Sequence, residues 1–241
     1  MFRNAFRGRR VLVTGHTGFK GSWLTRWLLD LGAEVTGFAL APDTCPSLFE
    51  ILGLQAHVDH RLGDIRDAER VKRTVAEAKP EVVFHLAAQP LVRLSYAEPM
   101  ATWDVNVGGT IRLLEALRGA GCAQACVVVT SDKCYENREQ IWGYRETDPM
   151  GGHDPYSSSK GAAEIAVASW RRSFFQHPDG MRLATARAGN VIGGGDWAAD
   201  RIVVDFVKAI EAGRPLFLRS PRATRPWQHV LEPLSGYLWL A

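Results

Sequence analysis

Short apolar runs rich in valine recur along the chain, and a longer amphipathic stretch follows nearly every one of them. The runs are VLVTG (11–15), EVTGFA (34–39), HRLGD (60–64), EVVFHLAA (81–88), CVVVTSD (126–132) and RLATARAG (182–189). A strand covered on both faces reads as a near-continuous apolar run, so this alternation predicts a parallel sheet with helices on either side. The amphipathic stretches predict helices over about 20–31, closed by Gly32, and from the cap Asp67 to Pro80. Two longer ones are predicted over about 100–118 and 156–175. Strand-helix-strand steps cross over right-handedly, and residues 1–190 are expected to form one α/β domain, a doubly wound parallel sheet.

After Asn190 the pattern changes. GGGDW leads to a helical IVVDFVKAIEAG (202–213), a short LFLR, and then Pro221, Pro226 and Pro233. Residues 191–241 therefore read as the start of a second, smaller lobe. Pro233 opens an apolar run that stops at Leu238, Trp239 and Leu240. A domain rarely ends with such side chains exposed, so a C-terminally truncated sequence is expected.

With 241 residues, 46% hydrophobic and 23% charged, the chain can fill a core, which excludes disordered and fibrous classes. Its net charge of +3 is dispersed rather than gathered in basic blocks, so neither nucleic acid nor an acidic membrane is implied as a partner. Arg3, Arg7, Arg9 and Arg10 precede VLVTGHTG, which breaks into Thr and Gly too early for a signal peptide. No run approaches the ~18 apolar residues of a membrane span. Cys45, Cys122, Cys126 and Cys134 form no C-x-x-C pair, so reduced thiols in a cytoplasmic protein are expected, with no metal.

Directly after the first strand comes Gly15-His16-Thr17-Gly18-Phe19-Lys20-Gly21, a G-x-x-G-x-x-G turn opening a helix. Glycines there permit a tight turn, close approach to a pyrophosphate and helix-sheet packing, while the helix end directs about half a positive charge at the phosphates. The turn predicts a dinucleotide. The second strand ends Phe38-Ala39-Leu40 without the carboxylate that would select NAD over NADP, and Asp43 lies slightly beyond. Asp64, at the end of the third strand with Ile65 beside it, is placed to accept from an adenine amino group, or simply to cap the next helix.

Tyr156 and Lys160 stand four apart in DPYSSSKGAAE and share one helix face. A phenol acts as a base near neutral pH only if its pKa of about 10 falls by about three units, which an ammonium and a cationic nicotinamide can supply. Ser131 and Asp132 sit at the carboxyl end of a parallel strand, where ligands bind. Gly108 and Gly109 inside a predicted helix cost about 1 kcal/mol each, which points to a close backbone approach. Trp197 and Trp227 could stack on a ligand or fill core, with core the favoured reading, and His16, His85 and His229 are read as satisfied structural histidines.

The glycine turn, HLAAQ (85–89), DVNVGGT (104–110) and YSSSK together resemble the extended short-chain dehydrogenase/reductase family, of the Rossmann type, which acts on nucleotide sugars. TSDKCYEN (130–137) and RPWQHVLEPLSGYLWLA (225–241) are most similar to the branch that takes CDP-glucose and dehydrates it. The resemblance implies NAD, a homodimer, and roles residue by residue. Gly15, Thr17, Gly18, Phe19, Lys20 and Gly21 would hold the pyrophosphate, Asp64 and Ile65 the adenine. Leu86, Ala87, Ala88, Gln89 and Asn106 would line the nicotinamide side, with Tyr156 and Lys160. Tyr156 would be the base for C4 oxidation, Ser131 its orienter, and Asp132 the acid for the C6 hydroxyl. Lys133 would be the base for the C5 proton, its charge disfavoured by Lys160 and the oxidised cofactor. Asn190, Arg201 and Arg225 would bind the nucleotide sugar. A different 4,6-dehydratase, a 4-epimerase or a non-catalytic dinucleotide sensor on the same fold are the alternatives. The Asp132-Lys133 pair speaks against the epimerase, and the intact Tyr156-Lys160 pair against the sensor.

Overall fold

The structure is a computed structural model and describes residues 2–241. β1 (Arg10–Thr14) enters the glycine turn and α1 (Phe19–Asp30). β2 (Glu34–Ala39), a one-turn α2 (Leu48–Ile51), β3 (Asp59–Leu62), α3 (Ala68–Ala78) and β4 (Val82–His85) follow. Next come α4 (Val92–Ala97), α5 (Pro99–Trp103), α6 (Gly109–Ala120), β5 (Ala125–Val129), α7 (Pro155–Phe174) and β6 (Arg182–Ala186). Among the described residues the main sheet has six strands, all parallel, in the order β3-β2-β1-β4-β5-β6. The doubly wound expectation holds. The chain winds outward from β1 in one direction and from β4 in the other, so the loops leaving β1 and β4 part and open a crevice at their carboxyl ends.

The period-two alternation of a strand divides the core cleanly. Val11 and Val13 of β1, with Phe84 and Val127, face Leu24 and Leu28 of α1 on one side of the sheet. Leu12, Val83 and Val128 face Val71, Val75, Leu114 and Val167 on the other. Asp67 caps α3, its Oδ1 accepting from Arg70 N at 3.0 Å.

The long helix expected over 100–118 is interrupted. A five-residue π turn, Asp104–Gly108, separates α5 from α6 and carries Asn106 inward. Such turns widen the helix by one residue and are frequent at functional sites. The close approach expected at the glycines proves to be a side chain: a Cβ on Gly109 would stand 2.6 Å from Ile65 Cγ2. At Gly108 it would meet only the flexible ends of Arg112 and Asp104.

Beyond β6 lie β7 (Asn190–Ile192), α8 (Ile202–Glu211), β8 (Trp227–His229) and α9 (Leu231–Leu240). β7 and β8 pair in parallel, Asn190 opposite Trp227, as a second small sheet whose three-residue strands are too short for sequence periodicity to reveal. The core reading of the tryptophans fails: Trp227 is 46% exposed, and Trp197 lines the crevice. α9 does not stand apart. Leu234, Tyr237 and Leu238 pack into the same cluster as Val11, Leu24 and Phe84. Leu234→Ala should therefore lower the unfolding free energy by about 2–5 kcal/mol in a single urea transition. A change under about 1 kcal/mol would mean that α9 does not share the sheet's core.

Candidate active site

At Gly15 and Gly21 the turn is built by contacts that exclude any side chain. Gly15 has φ +75°, and a Cβ there would sit 2.7 Å from Ala87 N, which draws the ends of β1 and β4 together. A Cβ on Gly21 would overlap the Gly15 carbonyl, so α1 lies directly on the turn. Gly18 caps α1 without any side-chain hydrogen bond, and no acidic residue occupies the first turn. That leaves the positive end of the helix open to the crevice. Thr17 Oγ1 donates to Leu40 O at 2.9 Å and pins the end of β2 beside it. No carboxylate ends β2, and Asp43 lines the crevice four residues on.

A buried relay fixes the floor. Ala87 N donates to Thr14 Oγ1 (3.2 Å), which pairs with His85 Nδ1 (2.7 Å). His85 Nε2 pairs with Thr110 Oγ1 (3.0 Å), and Thr110 Oγ1 donates to Asn106 O (2.7 Å). Thr110 has one hydrogen and gives it to Asn106, so Nε2 carries the His85 proton and Nδ1 accepts from Thr14. Asn106 is itself spread over three partners: its Oδ1 accepts from Gln89 N (2.9 Å), and its Nδ2 donates to Gln89 O (3.2 Å) and Ser159 Oγ (2.9 Å). Ser159 lies between Tyr156 and Lys160 on α7, so the relay reaches both.

α7 begins at the cap Asp154, which accepts from Ser157 N at 2.9 Å, followed by Pro155 at its first position. Tyr156 N donates to Ser95 Oγ at 3.1 Å. Tyr156 and Lys160 are both buried, as their spacing predicts. Opposite them, Ser131 caps a short turn, Asp132–Cys134, with Oγ 3.0 Å from Asp132 Oδ1. Lys133 projects from this turn and is exposed at the crevice mouth.

Sequence reasoning missed what anchors that turn. Glu164, one helical turn beyond Lys160, is buried in an ion pair with Arg187 at 3.0 Å. It also accepts from Thr130 Oγ1, and Arg187 Nη1 donates to Tyr135 Oη at 2.8 Å. Both ends of the Ser131–Cys134 turn are thus tied to one pair. The i, i+4 spacing of Lys160 and Glu164 was the available signal.

Burial pushes the Tyr156 phenol up, and Asp132 and Asp154 push it further, while Ser131 and Arg201 pull it down. The lowering expected from the sequence is absent in the protein alone. Burial and the nearby Lys20 bring Lys160 down to about 8. Lys20 likewise falls to about 8, through burial and Arg201, against Asp132 and Asp196. The hydrogen bonds and charge of Arg66 hold Asp64 below the usual carboxylate range against a partial desolvation. Its bidentate pair with Arg66, Nε to Oδ1 at 3.0 Å and Nη2 to Oδ2 at 2.6 Å, now occupies the oxygens assigned to adenine.

These groups line one crevice of about 570 Å³ running from the glycine turn to the β7–α8 connection. It collects Gly15, Thr17, Gly18, Phe19, Lys20 and Gly21 at one end, then Asp64, Ile65, Leu86, Ala87 and Ala88. Ser131, Asp132, Lys133, Tyr156 and Lys160 follow, then Asn190 and Arg201. Gln89 and Asn106 stand behind this lining, bonded to each other. Arg225 is exposed away from it, its Nη1 donating to Thr224 O at 2.6 Å. Asp196, which pairs with Arg201 at 3.2 Å, was not foreseen.

Residues 12–240 match the protein family described as GDP-mannose 4,6 dehydratase. The chain is 56% identical over 245 residues to a CDP-glucose 4,6-dehydratase of Salmonella typhimurium, covering 99% of this chain and 68% of that protein. It is 32% identical over 179 residues to a GDP-mannose 4,6-dehydratase of Vibrio cholerae, covering 69% of this chain and 46% of the relative. A solved dTDP-glucose 4,6-dehydratase from Streptomyces venezuelae, with NAD and TYD bound, matches with a TM-score of 0.81 at 25% identity, over 95% of this chain and 70% of that one. A Thermus thermophilus UDP-glucose 4-epimerase in complex with NAD matches with a TM-score of 0.82 at 29% identity, over 95% and 73%. The chain spans between 46% and 68% of the length of these two curated relatives.

The buried histidines make stability depend on pH. Burial lowers His85 to about 3, and burial with the neighbouring His60 lowers His16 to about 4. Below their ordinary value of about 6.5 the unfolded chain takes up both protons while the folded chain refuses them. Unfolding free energy, complete at pH 7, should fall between pH 6.5 and 4 by up to about 1.4 kcal/mol per pH unit for each histidine. Urea titrations at pH 7, 6 and 5 check this, and His85→Asn should remove its share of the slope; a flat profile would contradict it.

Proposed function

Because the chain belongs to the GDP-mannose 4,6 dehydratase family, we propose that it converts CDP-D-glucose to CDP-4-keto-6-deoxy-D-glucose with loss of one water. The observation that carries this reading is the 56% identity, over 99% of the chain, to a CDP-glucose 4,6-dehydratase. The placing of Ser131, Asp132 and Lys133 in one crevice with Tyr156 and Lys160 supports it.

The crevice fits NAD. An uncapped helix end and the Gly15 approach to Ala87 leave a cradle for a pyrophosphate, and Lys20 and Arg201 supply positive charge beyond it. Gly15 to Gly21 hold the phosphates, Ile65 the adenine end, where Arg66 has already taken up the Asp64 carboxylate, and Leu86, Ala87 and Ala88 the nicotinamide side. Bound there, NAD supplies reversible hydride chemistry.

Tyr156, as phenolate, takes the proton of the sugar's 4-hydroxyl while Ser131 orients that oxygen. The ketone at C4 acidifies the proton at C5. Lys133 removes that proton and Asp132 protonates the C6 hydroxyl, which leaves as water. The hydride that C4 gives up as the ketone forms would be held by bound NAD and returned at C6 after water has left, with a proton returned at C5, so the balance is one water lost and no net oxidation. Exposed as it stands, Lys133 takes up this role when bound sugar displaces water from it. Lys160, bonded to Val129 O at 3.5 Å, holds a positive charge beneath the reacting centre. Asn190 and Arg201, which both line the crevice, bind the nucleotide sugar, and Arg225, outside the lining, is not assigned a contact.

The division at residue 190 into a dinucleotide-binding domain and a partial substrate lobe is part of this proposal. So is a homodimer, for which exposed Ile165 and Phe174 on α7 offer apolar surface. Among the described residues no helix is long and apolar enough to cross a membrane. A reduced cytoplasm, where nucleotide sugars are made, is the proposed location.

Incubation of the protein and NAD with CDP-, dTDP-, UDP- and GDP-glucose, followed by mass spectrometry, should show loss of one water from CDP-glucose. No loss from any of them, with NAD bound, would refute the reading. Lys133→Ala should still oxidise C4 yet accumulate the ketose, with elimination slowed at least ~100-fold. Water loss at the normal rate in that variant would remove Lys133 from its role.

A further inference from the structure

α7 carries more than the Tyr156-Lys160 pair. One further step of four places the buried Glu164 on the same face. Its oxygens accept from both sides of the Arg187 fork, Oε1 from Nε at 3.1 Å and Oε2 from Nη2 at 3.0 Å. Arg187 directly follows β6 and stands between Ala186 and Ala188, whose carbonyls accept from Thr130 N at 2.9 Å and Asp132 N at 3.1 Å. The entrance to the Asp132–Cys134 turn is therefore tied twice, by backbone to 186–188 and by Thr130 Oγ1 to Glu164. Its exit is tied as well, because Arg187 Nη1 donates to Tyr135 Oη at 2.8 Å.

The turn also rests on α7 with no side chain between them. A Cβ on Gly161 would stand 2.8 Å from Gly151 O and 3.2 Å from Cys134 O. Gly151 N donates to Cys134 O at 2.9 Å, and Glu136 N to Pro149 O at 2.9 Å. Tyr135 stacks on Tyr144 with ring centroids 5.1 Å apart. Stability alone does not account for an ion pair at the centre of this arrangement, since apolar residues of similar volume commonly serve a buried site as well. What a bidentate pair adds is a fixed distance and angle. Here it fixes the backbone that carries Asp132 and Lys133 against the helix that carries Tyr156.

We propose that Glu164, Arg187 and Tyr135 form a clamp of positioning residues for the elimination half of the reaction, holding Asp132 and Lys133 in register with C5 and C6 of a sugar seated on Tyr156. The proposal rests on the functional reading above. All three residues stand outside the crevice lining, so they act through the turn. Tyr156 and Lys160, which serve C4 oxidation, are fixed by α7 itself. Asp132 and Lys133 ride on a three-residue turn that is accurate only as far as its two ends are held. Loosening the clamp therefore slows elimination and leaves oxidation as it is.

Two variants test this. Tyr135→Phe removes one hydroxyl and keeps the ring on Tyr144. The double variant Glu164→Met, Arg187→Met removes the pair without leaving a buried charge unmatched. With NAD present, kcat/KM is measured for CDP-glucose carrying deuterium at C4 and, separately, at C5. In Tyr135→Phe it should fall about 10-fold, and further in the double variant. The C5 isotope effect should grow and the C4 effect shrink towards unity, because only elimination has slowed. A merely structural role would reduce the amount of active protein and leave both isotope effects at their wild-type values. That result in both variants, or an unchanged kcat/KM, overturns the clamp while a dehydrating wild type keeps the functional reading. A wild-type protein that loses no water from CDP-glucose refutes that reading and this proposal with it.

Discussion

A chain of neutral hydrogen bonds runs from Ala87 N through Thr14, His85 and Thr110 to Asn106 O, and the crevice is assembled around it. It crosses from β1 to β4 to α6 and, through Asn106 and Ser159, to α7. Its side-chain members Thr14, His85, Thr110, Asn106 and Ser159 are all buried, so each of their polar atoms must find a partner or cost about 1–3 kcal/mol. Because His85 is kept neutral, the relay adds no charge beneath the reacting groups. The π turn before α6 exists in service of it, since one extra residue in the helix lets Asn106 reach back to Gln89.

Above this uncharged floor the site concentrates charge selectively. Carboxylates that hold structure are matched locally: Glu164 by Arg187, Asp64 by Arg66 and Asp196 by Arg201. Lys20 and Lys160 are left without such partners. A partnered buried charge fixes geometry. The Glu164–Arg187 pair sets where the Ser131–Cys134 turn stands relative to Tyr156, and under the proposed roles that distance decides whether one sugar can meet both Tyr156 and the Asp132–Lys133 pair.

What could be seen in the sequence follows from the range of each signal. The valine runs and the glycine turn are local and strong, so the strands, the Rossmann order and the cofactor end were legible. Tyr156 and Lys160 were legible because helical spacing puts both on one face. The β7–β8 pair was not, since three-residue strands carry no period. Neither was the π turn, because Asp104 to Gly109 looks like ordinary helix with two costly glycines. Arg225, placed by resemblance against the sugar phosphates, points away from the crevice. The lowered phenol expected of Tyr156 counted on a cationic nicotinamide beside it, and in the protein alone burial moves it the other way.

The account stands on one sugar being oxidised at C4 and reduced at C6 without leaving the crevice. Incubating the protein and NAD with CDP-glucose carrying deuterium at C4 tests this most directly, with the product read by proton NMR and mass spectrometry. The account predicts a CDP-4-keto-6-deoxyglucose that carries the deuterium on its C6 methyl group and has lost one water. Deuterium released to solvent, or found at C4 of an isomerised sugar with no water lost, would contradict it.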